Sequence, residues 1–356
     1  MPELKEVFEM VTKQIDPDQD AYTALQGRRQ RSMRNRKIAA LAVAAAIVAA
    51  IAFAAGAINR GREGSAPATI EPRGSGNAFT VVALDGSVRS SLPGLPGGAT
   101  PDLSPDGTRI AFTLADRTVP QVATMRLDGS GFRILTEDPI GAKQPRWSPD
   151  GSQLLYFRVD DEGNLRPMVM DADGTDVREI PGSHQAADFN PADWSPDGSL
   201  ILYTSVKDGL PVLATLPITG GRTRFLNTGS GWPEVGGAWS PDGSQIAFTR
   251  GIGTDSGGVL VFGVWVMNAD GSGEHQVAAL PGASAEAPAW SPDGSKIAFV
   301  GTEGGIYRGD GVLYVVDVAT GEVTEVLAGT ATGRRHENRP NWLPDGEAVL
   351  VMTEAP

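Results

Sequence analysis

The sequence predicts an all-β fold, a six-bladed β-propeller whose last blade is closed by N- and C-terminal strands, preceded by a short amphipathic N-terminal helix and one transmembrane helix. Three observations lead to the propeller. A tryptophan-like position followed by Ser-Pro-Asp-Gly or a close relative, and then by a short β-prone run, occurs six times: DLSPDGTRIAFTL from Asp102, RWSPDGSQLLYFR from Arg146, DWSPDGSLILYTS from Asp193, AWSPDGSQIAFTR from Ala238, AWSPDGSKIAFVG from Ala289 and NWLPDGEAVLVMT from Asn341. The motif aspartates Asp106, Asp150, Asp197, Asp242, Asp293 and Asp345 recur at intervals of 44, 47, 45, 51 and 52 residues, a period that suits propeller blades when it carries strands and no helical pattern. A second repeat interleaves with the first, at Asp85-Gly86, Asp128-Gly129, Asp173-Gly174, Gly220-Gly221, Asp270-Gly271 and Thr320-Gly321.

The residues of the first repeat dictate a strand, a tight turn and a second strand. Pro presets φ at the second turn position, Asp caps the turn, and Gly takes the positive φ that closes the hairpin with the right twist. Runs such as Ile110-Ala111-Phe112 and Leu154-Leu155-Tyr156 after the turn are short and apolar between polar flanks, as sandwiched strands are. Trp147, Trp194, Trp239, Trp290 and Trp342 are expected to pack between blades as core. The second repeat marks the outer hairpin of each blade. Its first copy precedes every Ser-Pro-Asp-Gly, and its last precedes the final one, so blade six is expected to take its inner strands from Arg339 to Met352 and its outer strands from Phe79 to Leu92. The run WSPDGxxIAF with a DADG-type hairpin resembles the TolB-type, WD40-like (PD40-repeat) propeller family over about residues 75 to 356. The resemblance is specific for fold and weak for function, because propellers host unrelated activities.

The region before the propeller reads as a membrane anchor. Of 356 residues none is cysteine, which removes disulfides, thiol catalysis and cysteine zinc sites. Residues 1 to 62 hold 10 Lys/Arg against 6 Asp/Glu, and residues 63 to 356 hold 20 against 37, so a basic head precedes an acidic body. Residues 1–37 form the expected cytoplasmic tail. In it Leu4, Val7, Phe8, Val11 and Ile15 fall three or four apart, an amphipathic helix stopped by Asp16-Pro17. Arg28, Arg29, Arg31, Arg34, Arg36 and Lys37 follow as a basic cluster, and Ile38 to Ile58 is uncharged over 21 residues, enough to cross a hydrocarbon core of about 30 Å. Basic residues before a span stay cytoplasmic, which puts the propeller on the other side of the membrane and argues against nucleic acid as the cluster's partner. The competing reading is a signal peptide cleaved near Ala57, at Ala55-Gly56-Ala57, giving a secreted or periplasmic domain. Residues 59–76, with Pro67, Pro72 and several Gly and Ser, form a flexible linker to the propeller at 77–356.

No catalytic motif, metal site or cofactor site is expected. His184, His275 and His336 lie in separate blades without metal-ligand spacing. There is no Gly-x-Ser-x-Gly, and DADGTD at Asp171 to Asp176 lacks the order of an EF-hand loop, so it reads as a hairpin turn. The Gly-rich segments from Gly251 and Gly301 contain no Gly-Lys-Ser/Thr and read as long loops in blades four and five. Loops leading into the innermost strands gather at one face around the channel, where function is placed on a rigid scaffold. They bring Lys143, Gln144, Asp188, Asn190, Glu234, Glu286, Arg335, His336, Glu337 and Asn338 toward one mouth as candidate binding residues.

What the family resemblance implies is an interaction module that binds peptide segments of envelope proteins at the channel mouth. The sequence is therefore read as a single-pass envelope protein whose propeller binds an envelope protein or peptide. Two other classes stay open: a transmembrane regulator whose helix at residues 4–15 engages a cytoplasmic signalling or transcription factor, and a propeller hydrolase or lyase acting on sugars or lactones.

Overall fold

The structure, a computed structural model, describes residues 77–95, 98–115, 119–182, 192–226, 229–254, 260–303, 311–330 and 339–354. The expectations for the tail, the span and the linker at residues 1–76 lie outside these residues. Among the described residues no helix is long and apolar enough to cross a membrane.

Along the chain come β1 (Asn77–Ala83) and β2 (Val88–Leu95), then five runs of four strands. Blade one is β3 (Gly98–Leu103), β4 (Arg109–Leu114), β5 (Gln121–Arg126) and β6 (Arg133–Ile134); blade two is β7 (Ala142–Trp147), β8 (Gln153–Val159), β9 (Leu165–Asp171) and β10 (Arg178–Glu179). Blade three is β11 (Asp193–Trp194), β12 (Leu200–Lys207), β13 (Leu210–Pro217) and β14 (Arg224–Phe225); blade four is β15 (Glu234–Trp239), β16 (Gln245–Thr254), β17 (Leu260–Asn268) and β18 (His275–Ala278). Blade five is β19 (Ala283–Trp290), β20 (Lys296–Glu303), β21 (Gly311–Asp317) and β22 (Val323–Thr330), and β23 (Asn341–Trp342) and β24 (Ala348–Glu354) end the chain. Every pairing within a blade is antiparallel.

Blade six is spliced as its sequence predicts. β24 pairs with β1 in unbroken register from Asn77↔Glu354 to Ala83↔Ala348, giving the order β23-β24-β1-β2. A single pair, Thr330↔Thr353, joins blades five and six into one larger sheet. The Gly-rich segments read as loops begin as strand, and residues 255–259 and 304–310 lie outside the described residues. Gly251 to Thr254 continue β16 and Gly301 to Glu303 continue β20, so those blades gain length by extending a ladder toward solvent.

Six apolar clusters, one at each junction between neighbouring blades, hold the ring. Trp147 lies in the cluster of blades one and two, Trp194 in that of two and three, Trp239 in that of three and four, Trp290 in that of four and five, and Trp342 in that of five and six. The junction of blades six and one has Leu103 at the tryptophan position, packed against the cluster that holds Phe79, Phe112, Leu350 and Met352. Three indoles also tie blades by donating to the preceding blade: Trp194 Nε1 to the Arg146 carbonyl (3.2 Å), Trp290 Nε1 to Ala238 (3.2 Å) and Trp342 Nε1 to Ala289 (3.0 Å).

The Ser-Pro-Asp-Gly turns form one face of the disc, with the outer-hairpin turns around them; the mouth is the other face. At five junctions the turn glycine lies against the proline of the turn before it, for example Gly243 against Pro196 and Gly107 against Pro344. The exception is the junction of blades two and three: no atom beyond its chain neighbours comes within 4 Å of a Cβ placed on Gly198. A cleft of about 360 Å³ opens there between Pro149, Asp150, Trp194 and Asp197.

Five of the six motif aspartates are acceptor hubs; Asp345, with Leu343 in place of the motif serine, accepts the Glu347 N–H at 2.9 Å. Asp242 Oδ1 accepts from Ser240 Oγ (2.7 Å), Ser244 N (3.0 Å) and Ser244 Oγ (2.8 Å). The Ser240 hydroxyl first, and then the Ser244 N–H, hold the Asp242 carboxyl down at about 2; Ser291 and Ser295 do the same for Asp293. Asp106, Asp150 and Asp197 are lowered by the same contacts. A carboxylate depressed in the fold contributes stability that is present above its unfolded pKa of about 4 and is lost as pH falls through its folded pKa. Acid unfolding is accordingly expected between about pH 4 and pH 2, and Ser240→Ala with Ser291→Ala should move its midpoint to higher pH. Circular dichroism across an acid titration checks this; an unmoved midpoint removes the turns from acid stability.

Candidate binding site

The inner strands share a local distortion that sets what they present to the channel. Thr100, Gln144, Gly236 and Ala287, each three residues before the tryptophan position, have φ of 49°, 58°, 65° and 53°. The ladder slips by one residue at each of these points, between Ala99/Asp102, Lys143/Arg146, Val235/Ala238 and Glu286/Ala289. Such bulges bend a strand and re-aim its side chains. The neighbouring blade stabilises them: Gln144 N–H donates to Thr113 Oγ1 (2.8 Å) and Gly236 N–H to Thr204 Oγ1 (3.3 Å).

Just beyond the bulge, the residue before each tryptophan position lies at the ring's axis. Blades four and five offer Ala238 and Ala289 there, whereas the others offer Asp102, Arg146, Asp193 and Asn341. Arg146 Nη1 donates to Asp102 Oδ1 (3.0 Å) and to the Pro101 carbonyl (3.2 Å), and Asp102 Oδ2 accepts the Trp147 N–H (2.7 Å). Arg339, from blade six, reaches Asp193 of blade three with Nη1 at 3.2 Å and Nη2 at 3.4 Å. Blades three and six are opposite members of a six-bladed ring, so this pair spans the channel and closes it at that level. Asp193 Oδ2 also accepts the Trp239 N–H (2.8 Å), and Asn341 Nδ2 donates to the Pro101 carbonyl (3.0 Å).

These four charges form a floor to the mouth. Arg146 is 1% exposed, and burial pulls its guanidinium down to about 10, against the opposing effect of Asp102. Burial likewise raises the Asp102 carboxyl, although Arg146 and the Trp147 N–H favour its charge. Both partners thus bear a desolvation cost that their attraction offsets only in part.

Of the residues predicted from sequence, Lys143 and Gln144 stand at the head of β7, Lys143 half-buried and Gln144 buried. Glu234 heads β15 and Glu286 stands midway along β19, and both are buried as well. Glu234 Oε1 accepts from Arg250 Nη2 (3.0 Å) and from Ser230 Oγ (3.0 Å), and Glu286 Oε1 accepts from Thr302 Oγ1 (3.2 Å). Arg250 also binds Glu274 and lies over the Trp265 and Phe248 rings at 4.4 and 5.1 Å, so Glu234 belongs to an internal clasp of blade four. Asp188, Asn190, Arg335, His336, Glu337 and Asn338 lie outside the described residues. Sequence reasoning missed Asp102, Arg146, Asp193 and Arg339. For Asp102, Arg146 and Asp193 the signal was a charge directly before the tryptophan position, between apolar residues; Arg339, three residues before Trp342, carried no such signal. Among the described residues no three His, Cys, Asp or Glu side chains gather as metal ligands would.

Exposed large apolar side chains concentrate on the mouth face: Ile140, Val206, Leu210, Trp232 and Ile252, with Trp232 42% exposed. Four of them belong to blades three and four. The antiparallel run of β12 past β15, fixed by the Gly236–Thr204 contact, brings Val206 and Trp232 to the same rim. The others, Val88, Val177 and Val323, lie on outer hairpins near the turn face.

Comparison with known proteins agrees with this architecture. Residues 98–259 match the TolB β-propeller domain family. An uncharacterised protein of Agrobacterium fabrum is 26% identical over 63% of this chain and 89% of its own length. The Tol-Pal system protein TolB of Anaeromyxobacter dehalogenans is 33% identical over 51% of this chain and 29% of its own length. Dipeptidyl-peptidase 5 of Porphyromonas gingivalis is 25% identical over 70% of this chain, which spans less than half of that peptidase at 43%. Among solved structures, a TolB-assigned protein of Agrobacterium tumefaciens superposes with a TM-score of 0.62 at 20% identity, over 80% of this chain and all of the other. That likeness is one of fold.

Proposed function

From the match of residues 98–259 to the TolB β-propeller domain family, we propose that this protein is a non-enzymatic binding module of the bacterial cell envelope, held to the membrane by residues 38–58 with the propeller outside the cytoplasm, and that it binds a protein or peptide at the channel mouth. The observation that carries this reading is the apolar rim of Val206, Leu210, Trp232 and Ile252 on the mouth face, beside a channel floored by paired charges. Apolar and aromatic side chains around a recessed polar centre are what a partner surface uses for affinity and register. The TolB relative supports the envelope assignment, and the peptidase relative is matched over less than half its length.

The test is capture of partners from crosslinked cells by the full-length protein. Trp232→Ala with Ile252→Ser should lower capture about thirtyfold if Trp232 is a hot spot worth about 2 kcal/mol. The triple variant Arg335→Ala, His336→Ala, Glu337→Ala tests the segment that precedes β23 in the same way. Unchanged capture by both variants would remove the mouth from the reading, and recovery of cytoplasmic proteins alone would favour a regulator working through residues 4–15. Topology is checked on the same chain, which has no native cysteine. A membrane-impermeant maleimide should label Ser87→Cys on intact cells and leave Gln19→Cys untouched; the reverse pattern overturns the orientation.

A further inference from the structure

Arg146 uses only part of its guanidinium. Nη1 is committed to Asp102 and the Pro101 carbonyl, while Nε and Nη2 are buried and make no hydrogen bond among the described residues. Those two N–H groups lie side by side on one edge of the guanidinium, the edge that matches the two oxygens of a carboxylate. Two residues earlier on β7, and therefore nearer the mouth, Gln144 is 7% exposed and its Oε1 has no donor among the described residues. Buried polar groups without partners carry a penalty that natural proteins keep where a ligand or water relieves it. The floor thus holds an unused two-donor edge and, above it on the same strand, an unused acceptor.

We propose that the channel floor captures the C-terminal carboxylate of a peptide: the carboxylate oxygens take the Nε–H and Nη2–H of Arg146, and Gln144 Oε1 accepts the amide N–H of the same terminal residue. The assignment rests on the reading of the mouth as a peptide-binding site and names the chemistry it selects. Charge balance chooses the ligand. Asp102 and Asp193 already match Arg146 and Arg339 one for one, so one added negative charge is easier to accept than the two of a phosphate. A free small carboxylate offers the same oxygens but no N–H for Gln144. Arg339, held to Asp193 across the channel at 3.2 Å, stands beside the site and can share the incoming charge by turning from Asp193.

The experiment is calorimetric titration of the full-length protein with three probes at matched ionic strength: acetyl-Gly-Ala-Ala with a free carboxylate, its C-terminal amide, and sodium acetate. The free acid is expected to bind at least about tenfold more tightly than the amide or acetate. Arg146→Lys keeps the charge and can still pair with Asp102 but lacks the two-donor edge, so it should lose about tenfold for the free acid while its thermal unfolding midpoint holds. Equal binding of acid and amide, no binding of the acid, or full binding by a folded Arg146→Lys protein each overturns the proposal, and acetate as tight as the peptide acid overturns the terminal-residue assignment. If Arg146→Lys does not fold, the acid-to-amide ratio on the wild type decides alone. Loss of envelope proteins from the Trp232→Ala, Ile252→Ser variant with no peptide binding at all would refute the carboxylate site and keep the mouth as a docking surface. Peptide binding with undiminished capture by that variant would do the opposite.

Discussion

Arg146→Met should cost about 3–5 kcal/mol of folding stability, while the double variant Asp102→Asn, Arg146→Met should recover most of it. Arg146 is buried at the ring axis, and Asp102, whose side chain is 15% exposed, is its partner at 3.0 Å. Removing the cation alone leaves a carboxylate that burial already raises, with the Trp147 N–H and the charge of Arg339 left to hold its charge. Removing both charges keeps the side-chain oxygen that accepts this N–H at 2.7 Å and ends the desolvation cost on both sides. The pH dependence has a definite sign. A carboxyl raised in the fold contributes stability that is present below its unfolded pKa and lost as pH rises through the folded value. Arg146→Met raises Asp102 further, so the gap between variant and wild type should be largest near pH 7 and shrink as the pH falls toward the ordinary Asp range. Urea unfolding at both ends of that range measures it. A single variant as stable as the double would show that the floor is wet enough to solvate Asp102.

The repeat carried most of the fold into the sequence because each blade spends its turn residues on geometry. Pro, Asp and Gly at fixed spacing can be read one blade at a time, and the offset between the two interleaved repeats located the splice of β24 onto β1 before any pairing was known. The bulges were not legible. Only Gly236 of the four left-handed positions is glycine; Thr100, Gln144 and Ala287 are held there by the ring, through contacts such as Gln144 N–H to Thr113 in the neighbouring blade. Propensity cannot report a conformation that tertiary hydrogen bonds impose.

The site was legible in position and misjudged in chemistry. Reading the loops before each inner strand located Lys143, Gln144 and Glu234 near the heads of those strands and Glu286 within β19, but whether such a residue faces solvent depends on partners far along the chain. Glu234 is consumed by Arg250 and Ser230 within its own blade. Asp193 and Arg339 are separated by 146 residues and meet only because six blades put them on opposite sides of one axis. Net charge misleads for a related reason. Many of the carboxylates that make the propeller acidic accept hydrogen bonds in their own turns, as Asp85, Asp128, Asp173 and Asp270 do on the outer hairpins.

Deleting residues 348–356 should abolish the folded propeller. The deletion removes Val349, Leu350, Val351 and Met352, all fully buried, from the clusters that join blade six to its two neighbours. Each large buried side chain is worth about 2–5 kcal/mol, so the sum exceeds the ~5–15 kcal/mol by which a domain is stable. Phe79, in edge contact with Phe112 at 5.5 Å, would lose Met352 as well, and β1 would become an unpaired edge. Loss of burial can be separated from loss of the splice by a circular permutant of the propeller. Asn77 and Glu354 are paired neighbours, so a short turn can join them and the chain can be reopened between β2 and β3 without removing a strand. Blade six then runs through one continuous segment, and the break in the ring moves to the junction of blades six and one, bridged by side-chain packing and the Asn341 Nδ2–Pro101 carbonyl hydrogen bond but by no strand ladder. The permutant should fold and unfold faster than the unpermuted propeller, because a hydrogen-bonded ladder no longer spans the break. Unfolding rates in urea, followed by tryptophan fluorescence, decide the matter: equal rates would assign closure to the apolar clusters, and a folded deletion variant would deny β24 its place in the ring.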